Sequence, residues 1–207
     1  MLLAGFALLI LLGAAIFTLP ISSSDGQGFS IIDSLFTAAS AVCVTGLTVI
    51  DVSTSLSFIG KAVLLMLVQL GGLGIMTLVT FIGLLIGRKF GIFGVEAMRQ
   101  STGEENTQQA KKILTIIVLG TFAIEGSGTI LLSFFYYYKM GFCLSQSLRY
   151  GLFMSVNAFC NAGFSLHQGS LSQFANEAFP LMIISILIII GGLGFSLLSN
   201  VCRKLLS

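Results

Sequence analysis

Apolar residues run along this chain in long blocks, not in the periodic stripe of a soluble helix or the alternation of a half-buried strand. Positions 2–19, 62–87 and 178–201 carry no charge, and positions 113–138 carry one, Glu125. A helix needs about 20 apolar residues to cross a bilayer, so each block predicts a membrane span. Pro20 ends the first block, Lys61 and Arg88 bracket the second, Lys112 and Lys139 bracket the third, and Arg203 and Lys204 close the fourth. No basic residue precedes the first block and no small-residue cleavage pattern follows it, so it reads as a span and not as a signal peptide.

Two further segments, positions 30–47 and 145–164, are too apolar for loops and too short to cross. Runs of about 10–14 apolar residues suit a re-entrant segment, and about 12 helical residues cover roughly 18 Å, half of a bilayer core. Ser30 or Asp33 in the first and Ser145 in the second are candidate helix N-caps. The expected fold is an all-α integral membrane protein with four transmembrane helices and two re-entrant half-helices. The expected units are 1–88 and 112–207, joined by a cytoplasmic linker at 89–111.

Composition agrees. Of 207 residues 56% are hydrophobic and 9% charged, and the mean hydropathy is +1.03. A soluble domain carries about 25% charged residues, so this surface is not built for water, which excludes a cytosolic enzyme and a disordered chain. A net charge of +2 with scattered basic residues excludes nucleic-acid binding. The middle loop holds Arg88, Lys89, Arg99, Lys111 and Lys112 and the tail Arg203 and Lys204, against Lys61, Lys139 and Arg149 on the other side. Basic residues favour the cytoplasmic face, which predicts a multi-pass plasma-membrane protein, surrounded by lipid, with both termini cytoplasmic. Cys43, Cys143, Cys160 and Cys202 form no close pair and, with one histidine, no metal cluster. They read as small packing residues in apolar helices.

The two halves match each other. Leu35, Phe36, Ala41, Cys43 and Gly46 correspond to Leu152, Phe153, Ala158, Cys160 and Gly163 at an offset of 117 positions. Gly71-Gly72-Leu73-Gly74 recurs as Gly191-Gly192-Leu193-Gly194 at an offset of 120, so the second outer loop is the longer by three residues. Both units begin and end on the same side, which makes the repeat parallel, about an axis along the membrane normal. Gly46 and Gly163 end the half-helices where non-helical backbone must begin. At membrane depth such backbone is tolerated only inside protein or beside water. A helix C-terminus carries about half a negative charge. Aimed at a central axis, it favours a cation. The carbonyls of Val44, Thr45, Gly46 and Leu47, with those of Asn161, Ala162, Gly163 and Phe164, could then replace the ion's water. The plainer alternative is that both glycines only permit close helix crossing.

Ser40-Ala41-Val42-Cys43-Val44-Thr45-Gly46-Leu47 resembles the first selectivity filter of the Ktr/Trk/HKT potassium-transporter superfamily, and Asn157-Ala158-Phe159-Cys160-Asn161-Ala162-Gly163-Phe164-Ser165 resembles the second. Gln69-Leu70-Gly71-Gly72-Leu73-Gly74 is similar to the helix after that first filter, particularly in bacterial Ktr and Trk pore subunits. The resemblance implies potassium uptake through a pore of span–pore helix–span repeats, four in the family and two here, of the potassium-channel type. Gly46 and Gly163 would be two of four filter glycines. It implies K+ as the transported ion and no cofactor bound by this chain. It implies a second copy or a complementary half to complete four repeats, and a cytosolic nucleotide-binding regulatory ring that the loop with Glu104, Glu105, Lys111 and Lys112 would touch. Because the match is to the first half of the family pattern, a partial chain is expected. The alternatives are a two-repeat subunit of a tetrameric-type potassium channel, whose filter has a second glycine missing here, and a sodium-permeable relative. An enzyme is not expected, since neither a nucleophile–base pair nor a metal cluster is visible.

Four features stand apart. Glu125 lies about 20 Å from either end of its span, too far to snorkel, so it faces protein or water. It is either a charge near the ion path or a hydrogen-bonded carboxyl tying helices together beside Gly126, Ser127 and Gly128. Asp51, just past the first filter, either gathers cations at the pore mouth or is an exposed loop acid. His167 reads as an exposed loop residue. The two Gly-Gly-Leu-Gly motifs read as hinges or as close packing by small residues.

Overall fold

The structure is a computed structural model, and it describes residues 2–74 and 107–193. Six α-helices lie among the described residues: α1 (Leu2–Phe17), α2 (Ile31–Val42) and α3 (Phe58–Gly72) in the first half, α4 (Thr107–Tyr138), α5 (Leu144–Phe159) and α6 (Ala178–Gly192) in the second. No strand occurs among them; one isolated bridge joins Ser23 to Leu56. The helices α1, α2 and α3 pack pairwise on one another, the same triangle recurs among α4, α5 and α6, and α3 touches α5 across the junction.

Local chemistry sets the helix ends. Leu19 precedes Pro20 and is extended (φ −74°, ψ 142°), as the proline ring demands of its neighbour, so α1 stops and Pro20–Ser22 forms a single 3₁₀ turn. Ser30 caps α2: its Oγ accepts from the Asp33 N–H at 3.1 Å and donates to the Asp33 carboxylate at 2.7 Å. Ser57 caps α3, accepting from the Gly60 N–H at 3.0 Å while donating to the Ile21 carbonyl at 2.6 Å. That cap starts α3 four residues before the predicted span and draws Lys61 into the helix. The helix α5 begins at Leu144 with Cys143 in the cap position and no side-chain cap bond, so Ser145 is not its N-cap. Pro180 falls in the first turn of α6, where its missing N–H would have had no partner.

The packing extends the sequence match. A Cβ on Gly13 would meet the Ala38 Cβ at 3.2 Å and the Leu67 Cδ1 at 2.6 Å; a Cβ on Gly128 would meet the Ser155 Oγ at 2.5 Å and the Leu187 Cδ1 at 2.8 Å. Ala38 and Ser155 are 117 positions apart, and Leu67 and Leu187 are 120 apart. Glycines on α1 and α4 therefore let corresponding helices approach in both halves, a correspondence the sequence alone leaves hidden.

Among the described helices, the part of α4 over Thr115–Tyr138 is long and apolar enough to cross a membrane. The helices α1, α3 and α6 are apolar but shorter, and positions 75–87 and 194–201 of two predicted spans lie outside the described residues. Arg88, Lys89, Arg99, Glu104, Glu105, Cys202, Arg203 and Lys204 lie outside them too, and Lys111 and Lys112 enter only as backbone of α4.

Candidate functional site

The helices α2 and α5 end in the same way. Beyond Val42, the Val44 N–H donates to the Ala41 carbonyl at 3.2 Å and the Thr45 N–H to the Ser40 carbonyl at 2.9 Å. Beyond Phe159, the Asn161 N–H donates to the Ala158 carbonyl at 3.1 Å and the Ala162 N–H to the Asn157 carbonyl at 2.8 Å. This is a Schellman closure, which places the first residue past the cap in the left-handed region. Val44 has φ 56° and Asn161 φ 58°. A β-branched valine there is strained by about 1–3 kcal/mol. Gly46 (φ 72°) and Gly163 (φ 77°) repeat the left-handed conformation two residues later, where glycine alone is free of steric cost.

These turns bring the two segments side by side. A Cβ on Gly46 would collide with the Ala162 carbonyl oxygen and lie 3.0 Å from the Gly163 Cα, whereas a Cβ on Gly163 would reach only the Gly46 Cα, at 3.4 Å. Behind them, Gly71 of α3 lies so close to the last turn of α2 that a Cβ would strike the Val42 carbonyl; Gly191 of α6 stands in the same relation to Phe159. A Cβ on Gly72 would meet the Cys160 Sγ at 2.5 Å across the junction. In the described part, Gly71, Gly72 and Gly191 of the Gly-Gly-Leu-Gly motifs thus serve close packing, while Gly194 lies outside it. Among the described residues, no donor reaches the carbonyls of Val44, Thr45, Gly46, Leu47, Asn161, Ala162, Gly163 or Phe164. Backbone carbonyls in a packed protein normally have partners, so eight without a donor among the described residues, in two adjoining segments, set this place apart.

A cavity of about 700 Å³ opens above this contact, lined by Gly46, Thr48 and Asp51 from the first half and by Gly163, Ser165 and His167 from the second. Asp51 is exposed, and hydrogen bonds from Ser53 (Oγ at 2.6 Å, N–H at 2.8 Å) hold its carboxyl below the usual range, so it is anionic at neutral pH. His167 is buried, which corrects its reading as an exposed loop residue. Tyr136, Tyr150 and Phe174 surround its ring, the Tyr136 hydroxyl pairs with its Nε2 at 2.9 Å, and burial pushes its pKa down to about 4. Among the residues lining the cavity, Asp51 is anionic and His167 is neutral at pH 7, with Lys61 close enough to Asp51 for the two charges to act on each other.

Glu125 is buried, and the Gln69 amide donates to both its oxygens, at 3.0 and 3.1 Å. The Cys160 Sγ lies 3.9 Å from the same carboxyl. Of the two readings of Glu125, the hydrogen-bonded tie is the one realised: it links α3, α4 and the end of α5. The signal that was available for Gln69 is its isolation, a lone amide in an apolar block that calls for one polar partner. Of the cysteines read as small packing residues, Cys160 packs against Gly72 and is half-buried, while Cys43 and Cys143 are exposed. Among the described residues no cluster of His, Cys, Asp and Glu is poised to hold a metal ion.

The family model for TrkH, a cation transport protein, matches residues 9–205. The chain belongs to the TrkH family. It is therefore a membrane protein, and its helical, strand-free described part fits that class. It is similar to Ktr system potassium uptake protein B of Bacillus subtilis, 34% identical over 200 residues, which cover 97% of this chain and 44% of that protein. The protein of the same name from Vibrio alginolyticus is 35% identical over 201 residues, 97% of this chain and 43% of the relative. The potassium/sodium uptake protein NtpJ of Enterococcus hirae is 33% identical over 192 residues, 93% and 42%. The chain spans less than half the length of these TrkH relatives.

Proposed function

We propose that this chain forms part of a potassium-uptake pore of the Ktr/Trk type, with Val44, Thr45, Gly46 and Leu47 as one strand of its selectivity filter and Asn161, Ala162, Gly163 and Phe164 as another. The observation that carries the reading is the pair of glycine segments that meet at Gly46 and Gly163, with eight carbonyls that no donor among the described residues reaches. The C-terminal ends of α2 and α5 lead into this contact, and their dipoles add negative potential where a dehydrated cation needs it. Carbonyl oxygens then replace its hydration shell, and Asp51 gathers cations at the mouth. The potassium uptake named for the Ktr relatives supports the choice of ion. No bound cofactor and no catalytic step enter this mechanism.

In this reading residues 1–88 and 112–207 are two span–pore helix–span repeats, 89–111 is the cytoplasmic linker, α2 and α5 are re-entrant pore helices, and both termini are cytoplasmic. Two filter strands do not close a ring, so a second copy or a complementary half supplies two more. Exposed Leu35, Phe36, Leu47, Ile186, Ile189 and Leu193 leave apolar surface open to such a neighbour or to lipid. The word "system" in the Ktr relatives' names supports a further component, which we assign to a cytosolic nucleotide-binding ring. A sodium-permeable pore is the second reading, favoured by the potassium/sodium name of NtpJ.

The test is ion uptake by cells carrying the full-length protein with Gly46→Ser. A side chain there displaces the facing strand and removes oxygens on which the larger ion depends most. Potassium uptake should fall at least about tenfold more than sodium uptake, equivalent to about 1.4 kcal/mol of lost discrimination. A variant that reaches the membrane and keeps its potassium preference places the ion path elsewhere.

A further inference from the structure

A second cavity, of about 370 Å³, lies away from the ion path, where the first turns of α3 meet the first turns of α5. Its walls are apolar, built from Phe58, Leu65, Leu152, Phe153 and Leu166, and its polar lining is Lys61, Gln146 and Arg149. The surrounding face is open and apolar: Phe58 is 64% exposed, and Leu148 and Leu152 are each 45% exposed. In a TrkH-family membrane protein such an open apolar face, edged by cations, is suited to lipid.

The two cations are incompletely paired. Arg149 is exposed; its Nε donates to the Ser145 carbonyl at 3.2 Å and its guanidinium carbon stands 5.5 Å from the Phe58 ring centroid. Lys61 is half-buried; its Nζ donates to the Ser53 carbonyl at 2.7 Å, which uses one of three donors, and the Asp51 carboxylate compensates its charge in part without an ion pair. Neither forms a salt bridge among the described residues, where Lys139 with Glu177 is the ion pair present. Both lie within about 9 Å of their helix starts, the depth at which cationic side chains reach the headgroup layer.

We propose that this cavity binds one anionic glycerophospholipid, its phosphate between Lys61 and Arg149 and the start of one acyl chain in the apolar cleft between α3 and α5. Charge fixes the class. Two incompletely compensated cations oppose a positively charged group and gain little from a zwitterion, while the apolar walls have nothing to offer a soluble anion. The bound lipid spans the junction of the two halves and touches Leu166, two residues beyond Phe164. It therefore braces α3 against α5 from the lipid side. The proposal rests on the cavity and on membership of a membrane family, and it stands whether or not residues 44–47 and 161–164 conduct ions.

The experiment titrates the full-length protein, purified in neutral detergent, with phosphatidylglycerol or phosphatidylcholine, and counts bound lipid by native mass spectrometry. Phosphatidylglycerol should bind with a preference that Lys61→Gln with Arg149→Gln lowers about thirtyfold, from about fivefold per charge, while phosphatidylcholine binding stays unchanged. Arg149→Gln alone should lower it about fivefold, which keeps the test available if the double variant fails to fold; Arg149→Lys should retain the preference. Wild-type lipid preference in Arg149→Gln overturns the proposal. So does displacement of phosphatidylglycerol by millimolar inorganic phosphate, which would mark a soluble-anion site.

Discussion

The segments 44–47 and 161–164 share a backbone and differ in what holds them. Each begins with a Schellman closure and turns left-handed twice, at Val44 and Gly46 or at Asn161 and Gly163. The first segment is backed lightly: the Thr45 Oγ1 donates to the Ser40 Oγ at 2.9 Å, and the loop beyond it is tied by Asp51 and Ser53. The second is backed by a buried aromatic group around His167 and by the Glu125–Gln69 pair near Cys160. Crowding also differs, since Gly46 faces a carbonyl where Gly163 faces only a Cα. Equal backbone geometry thus does not mean equal tolerance. Strand one is limited by what it touches, strand two by what stands behind it.

The largest expected effect is at the glycines. Gly46→Ala adds backbone overlap to the positive φ and should destabilise the full-length protein by about 2–5 kcal/mol; Gly163→Ala bears mainly the conformational cost, about 1–2 kcal/mol. Thermal unfolding in detergent measures both, and equal losses would erase the asymmetry.

Next is the pH response of the second strand's support. A histidine held at about 4 when folded and near its ordinary 6.5 when unfolded binds fewer protons in the native state. Its buried neutral form therefore contributes fully above the unfolded value, and that contribution is lost as pH falls from about 6.5 towards 4. Stability at pH 5 should be lower than at pH 7 by up to about 2 kcal/mol, and His167→Gln should flatten this slope. A slope unchanged in that variant would assign the pH response to another group.

A smaller effect comes from exchanging the left-handed residues. Asn161→Val imports into strand two the strain that strand one already carries, at an exposed position with little packing to gain. A loss of about 1–2 kcal/mol is expected, read by the same melting curves; no loss would show that Val44 is not strained by its φ.

Much of this was legible in the sequence because it rests on residues with a single physical meaning. Gly46 and Gly163 in register marked where helix gives way to other backbone, Ser30 was one of two candidate caps for α2, and the doubled Gly-Gly-Leu-Gly marked equivalent close contacts on α3 and α6. What stayed hidden depends on partners far apart in the chain. Valine gives no sign of positive φ and asparagine only a weak one, so the Schellman closures emerged from the backbone. His167 looked like a loop residue because Tyr136, Tyr150 and Phe174, which bury it, approach from three different segments. Cys43 and Cys160 match in sequence, yet among the described residues it is Cys160 that has the other half of the chain against it.

The proposed function stands on a dehydrated cation held by the carbonyls of the two glycine segments. Anomalous diffraction from crystals of the full-length protein grown in rubidium chloride tests it most directly. An anomalous peak is expected at the level of Gly46 and Gly163, in contact with carbonyl oxygens of residues 44–47 and 161–164. Rubidium bound elsewhere in the protein, with no peak at that level, would contradict it.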